Sequence, residues 1–162
     1  MQLFYREKGI DTHPPLIILH GLWGASDNWL PVADLLSHRF HVILPDLRNH
    51  GCSPHSSLFD YTILSQDTEE LIGRLNLPQR PFLAGHSLGG KTLMHLVLKR
   101  PEIVEKAAII DICPQAYTLD RQTMHRSLSE YILTTFKIST DVRKYIERSG
   151  NIFLQKRKFR FC

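Results

Sequence analysis

Four short runs that are apolar at nearly every position recur along the chain: "PLIIL", "HVIL", "PFLA" and "AAII". Each closes within two residues on glycine or aspartate. A strand with no polar face must be covered on both sides, and that is the habit of parallel sheets. Between these runs lie stretches with helical spacing. "WLPVADLLSHR" places Val32, Leu35 and Leu36 on one helical face, and "YTILSQDTEELIGRLNL" repeats Leu64, Thr68, Leu71, Ile72 and Leu75. "LGGKTLMHLVLKR" is apolar nearly all round, which predicts a centrally buried helix ending before Pro101. "LFYRE" is a weaker first strand. Strands alternating with helices specify an α/β chain, a mostly parallel sheet with helices on both faces.

After Pro114 the alternation stops. "LDRQTMHRSLSEYILTTF" and "DVRKYIERSG" predict two successive helices, the second capped by Thr140 and stopped at Gly150. The expected organisation is an α/β core over 1–114, followed over 115–162 by a helical cap segment and a truncated tail. The length, 162 residues, suits a single domain. The net charge of +4 is spread along most of the chain, which is short of a nucleic-acid signature. The dense basic group Lys156, Arg157, Lys158 and Arg160 reads as a solvated edge or turn. Cys52, Cys113 and Cys162 are odd in number and widely spaced, which fits free thiols in a reducing compartment. "MQLFYREKG" has no signal-peptide apolar region, and no run reaches membrane-span length. A cytoplasmic protein is expected. The Cys and His residues lack metal-ligand spacing, and neither a P-loop nor GxGxxG is present, so no metal or cofactor is implied.

The chemistry concentrates in "PFLAGHSLGG". Ser87 stands at the carboxyl end of a strand, where parallel sheets bind ligands, with Gly85 and Gly89 on either side. The chain must turn sharply there to begin a helix. Glycines allow close backbone approach while the serine is pushed out at the bend, the G-x-S-x-G nucleophile elbow. The N–H of Leu88 then faces the space where an oxyanion would form, at the positive end of a helix dipole. "HGLWG" closes the "PLIIL" run, and the N–H of Leu22 is a candidate second donor. Trp23 and Trp29 read as core or rim aromatics.

Taken together, "HGLWGASDNW", "DLRNHGCS", "GHSLGGKTLM" and "DICPQAY" resemble, in order and spacing, the α/β-hydrolase superfamily, and within it the small YbfF-type esterase and thioesterase branch. The resemblance implies hydrolysis of small acyl esters or thioesters through an acyl-serine. It matches Ser87 to the nucleophile, the N–H groups of Leu22 and Leu88 to the oxyanion hole, and "DICPQAY" to the start of a cap. In the variant arrangement of this branch, the acid stands at the end of the strand after the nucleophile helix, where this chain has Asp111.

The family's base histidine, from a loop after the last strand, has no counterpart here. Of nine histidines, His86 adjoins the serine but should point away from it, and His20 should fix a loop. His50 lies in "RNHG", His95 is expected in the core, and His125 in the cap segment is the first candidate for a substitute base. The chain therefore reads as the N-terminal two-thirds of such a hydrolase, inactive alone and prone to self-association through the exposed edge of "EKAAIIDI". The alternatives are a chain completed by another polypeptide, a non-catalytic remnant or interaction protein, or another chemistry on the same fold, such as a haloperoxidase or lyase.

Overall fold

A computed structural model describes residues 1–113. The expected helices after Pro114, the cap segment, His125, the basic cluster and Cys162 all lie outside the described residues. Five strands form one sheet: β1 (Tyr5–Lys8), β2 (Pro15–Leu19), β3 (His41–Pro45), β4 (Phe82–His86) and β5 (Lys106–Ile110), in the order β1-β3-β2-β4-β5. All neighbouring pairs run parallel except β1, which lies antiparallel on β3. Three α-helices connect them: α1 (Leu30–Leu36), α2 (Tyr61–Arg74) and α3 (Leu88–Lys99).

Side-chain alternation along the strands divides the core in two. Ile17, Leu19, Ile43 and Leu83 meet Leu64 of α2 and Leu93 and Leu96 of α3 on one face. Ile18, Val42 and Leu44 meet Ala33 of α1 on the other. Both faces of β2 and β3 are thus filled, which is why these strands are apolar at successive positions. Helix α2 starts at Asp60, whose Oδ1 accepts the Ile63 N–H at 2.8 Å. Leu64, Thr68 and Leu71 are buried as their spacing predicts, with Ile72 and Leu75 packed at the margin.

Three expectations are corrected. In α1 it is Ala33 that is fully buried, with Leu30 and Leu36 beside it, whereas Leu35 is 44% exposed. Helix α3 is not buried all round: Leu98 is 84% exposed, and His95 is half-buried against the Tyr61 ring rather than in the core. Strand β5 is not covered on both faces among the described residues. Lys106 and Ala107 are exposed and the rest is half-buried, because β5 lies at the margin of the described sheet.

Candidate active site

The carboxyl ends of β2, β4 and β5 bring the sequence-predicted residues to one edge of the sheet. Strand β4 lies between β2 and β5, pairing Leu19 with Gly85 on one side and His86 with Ile110 on the other. Ser87 follows directly, with φ 49° and ψ −109°, a conformation that L-residues avoid at a cost of about 1–3 kcal/mol. Its N–H donates to the Ile110 carbonyl at 3.1 Å, and its carbonyl accepts from Lys91 at 3.0 Å. The strained turn is thereby tied to β5 on one side and to the first turn of α3 on the other.

The two motif glycines have distinct steric reasons. A Cβ on Gly85 would lie 2.5 Å from the Gly89 carbonyl oxygen and 2.8 Å from the Gly90 nitrogen. A Cβ on Gly89 would lie 2.5 Å from the Leu19 carbonyl oxygen. Strand β4 and helix α3 pass with only hydrogens between them, and α3 sits equally close to the end of β2. The Gly89 N–H accordingly reaches the His20 carbonyl at 3.1 Å.

The loop after β2 closes over this bend. A Cβ on Gly21 would lie 3.4 Å from Ser87 Cβ and 2.7 Å from His86 Nδ1, so the Gly21 backbone borders the serine. Among the described residues the N–H groups of Leu22 and Leu88 have no backbone acceptor outside regular helix and strand bonding. Trp23, at φ 59°, is 60% exposed, and Trp29 meets the His86 ring edge-on at 6.4 Å.

His20 is completely buried, and its ring is bonded at both nitrogens, to the Gly21 carbonyl at 2.8 Å and to the Leu47 N–H at 2.9 Å. Burial, reinforced by the neighbouring His50, lowers its pKa to about 4 against the hydrogen bond to Gly21. The loop-fixing role expected of His20 agrees with these contacts. His50 packs beside it, with ring centroids 5.0 Å apart, and its Nδ1–H donates to the Arg48 carbonyl at 2.8 Å.

Asp111 follows β5 with φ 54°, and its carboxylate lies 3.7 Å from His86 Nε2. His86 thus points its ring toward Asp111 and Trp29, a pairing the sequence reading did not contain. Two further residues were missed. Asp46, 2% exposed, accepts the Ser26 N–H at 2.6 Å and the Cys52 N–H at 2.8 Å, joining the loop after β2 to the loop after β3. Arg48 forms a buried two-point pair with Asp67 of α2 at 2.5 and 2.8 Å. Their sequence signal was only a pair of charged residues directly after an apolar strand.

A family model for the α/β-hydrolase fold matches residues 14–137, a range that includes the strand–serine–helix turn and the glycine loop beside it. The chain belongs to this family. It is 40% identical over 114 residues to a Haemophilus influenzae protein described as an esterase/lipase, covering 70% of this chain and 39% of that one. It is 34% identical over 110 residues to Esterase YbfF of Escherichia coli, covering 68% and 43%. Among solved structures, a marine microorganism esterase superposes with a TM-score of 0.71 at 35% identity, over 91% of this chain and 58% of that one. The chain spans about two-fifths of the length of these curated relatives.

Proposed function

We propose that Ser87 is the acyl-accepting nucleophile of a hydrolase of small carboxylic esters or thioesters. The observation that carries this reading is the strained, positive-φ serine held between two glycines whose Cβ positions are occupied by backbone atoms, with the Gly21 loop against it. The esterase and esterase/lipase names of the relatives support the same class of substrate.

In this reading Ser87 Oγ attacks the acyl carbonyl carbon while a histidine takes its proton. The carbonyl electrons move onto oxygen, and the N–H groups of Leu22 and Leu88 receive that oxyanion. Collapse of the tetrahedral adduct breaks the bond to the alcohol or thiol, which leaves with the proton from the histidine. Water then repeats the sequence on the acyl-serine, releasing the acid. Asp111 holds the histidine in the required tautomer. Of the histidines beside the site, His20 is bonded at both nitrogens and the His86 ring lies 3.7 Å from Asp111, and this reading assigns the base to neither.

The test uses the protein expressed from its complete coding sequence and a nitrophenyl ester. Ser87→Ala is expected to remove hydrolysis down to background. Wild-type turnover in that variant overturns the assignment.

A further inference from the structure

The His20 side chain touches the loop after β2 and the loop after β3, and its backbone carbonyl accepts from the nucleophile helix. Its Nε2 faces the Leu47 N–H at 2.9 Å. A backbone N–H can only donate, so Nε2 must be the unprotonated nitrogen. The ring proton therefore sits on Nδ1, which donates to the Gly21 carbonyl at 2.8 Å. The Gly24 N–H donates to the same carbonyl at 3.0 Å. The Gly21 carbonyl and the Leu22 N–H belong to one peptide group, and no peptide bond in the described residues is cis. In a trans peptide the C=O and N–H point in opposite directions. Anchoring the carbonyl toward the His20 ring therefore turns the Leu22 N–H away from that ring. Its carrier, the Gly21 backbone, borders Ser87.

We propose that His20 is a positioning residue: its neutral Nδ1–H tautomer holds the Gly21–Leu22 peptide so that the Leu22 N–H is presented at Ser87. The proposal rests on the reading of Ser87 as nucleophile and of Leu22 as an oxyanion donor. The His20 carbonyl accepts the Gly89 N–H, so one residue fixes the donor loop and the first turn of α3 together. Protonation of Nε2 would set two donors face to face at Leu47 and force the ring out of place. Burial opposes that proton first, and His50 and His86 oppose it electrostatically, while the Gly21 carbonyl and Asp46 favour it. The balance keeps the ring neutral down to about pH 4.

Two variants separate the ring's two bonds. His20→Asn keeps an amide N–H at the Nδ1 position, within reach of the Gly21 carbonyl, and gives up Leu47. His20→Gln can accept from Leu47 but cannot reach the Gly21 carbonyl. In the protein from its complete coding sequence, the second-order rate of Ser87 labelling by a fluorophosphonate is expected to fall about 100-fold in His20→Gln, the lower range for loss of one oxyanion donor. His20→Asn is expected to stay within about threefold of wild type, and KM for a nitrophenyl ester is expected to hold in both. Equal losses in the two variants, or wild-type labelling in His20→Gln, overturn the proposal.

Nitrogen-15 NMR of the wild type gives an arm independent of reactivity. The His20 ring is expected as the Nδ1–H tautomer at neutral pH, and the Leu22 amide resonance is expected to shift with the His20 titration near pH 4. An Nε2–H tautomer, or a Leu22 amide silent through that titration, overturns it. If wild-type Ser87 does not label, the nucleophile reading falls, and the NMR arm alone decides the position of the peptide.

Discussion

Ser87 and Asp111 both hold positive φ, 49° and 54°, at the ends of adjacent strands. Non-glycine residues occupy that region only where surrounding contacts over-determine it, and such residues concentrate at reactive sites. Ser87 is pinned by its N–H on Ile110 and its carbonyl on Lys91. Asp111 is 38% exposed at its side chain, with the His86 ring as its neighbour at 3.7 Å. Loss of its charge should therefore matter little to folding and a great deal to the orientation of a base. Asp111→Asn, in the complete protein, is expected to lower kcat on the order of 10³–10⁴-fold, because the wrong histidine tautomer is then favoured. Its melting temperature should stay within about a degree or two of wild type. Full activity in that variant would move the acid to another residue. The serine was legible in the sequence because its flanking glycines have a steric cause that a motif can carry. The His86–Asp111 proximity was not, since it depends on β4 and β5 being neighbours in exact register.

At the scale of elements, the glycines divide into those that permit contact and those that merely permit helix. Gly89 of α3 has backbone atoms of Leu19 and His20 where a Cβ would stand, and backbone cannot move aside cheaply. Gly89→Ala is expected to destabilise the protein by about 1–3 kcal/mol, the usual range for overpacking. Gly73 in α2 has nothing within 4 Å of its Cβ position. Gly73→Ala is expected to be neutral or to stabilise by roughly 0.4–1 kcal/mol, through the unfolded chain's lost freedom. Denaturant melts of the two variants compare them directly, and similar effects of the same sign would contradict the packing account. Strands β2, β3 and β4 were readable because residues apolar at successive positions have only one solution, burial on both faces. Helix α3 and strand β5 were misjudged for the same physical reason. Hydrophobicity says that Leu98 and Ile109 are apolar, but not which other segment covers them.

Across the molecule, the parts of the site are locked to one another by buried polar links rather than by the apolar core alone. Asp46 joins the loops after β2 and β3, Arg48 joins the second of these loops to α2 through Asp67, and His20 joins both loops to α3. Each link is a partnered buried polar group, costly to break by removing one side. The sheet is less complete. Among the described residues no strand pairs with the outer edge of β5, while its two faces are half-exposed. Unpaired edges recruit other strands. The 162-residue chain expressed exactly as written is therefore expected to run larger than its monomer mass in size-exclusion chromatography with light scattering. A monodisperse monomer at tens of micromolar would show that β5 is covered within this chain.

The most direct measurement of the central claim is covalent labelling of the protein from its complete coding sequence with a serine-directed phosphonate, followed by peptide mass mapping. The account predicts one adduct per chain, on the peptide containing Ser87, absent from Ser87→Ala and suppressed by a competing small ester. An adduct on another residue, or equal labelling of the alanine variant, would contradict it.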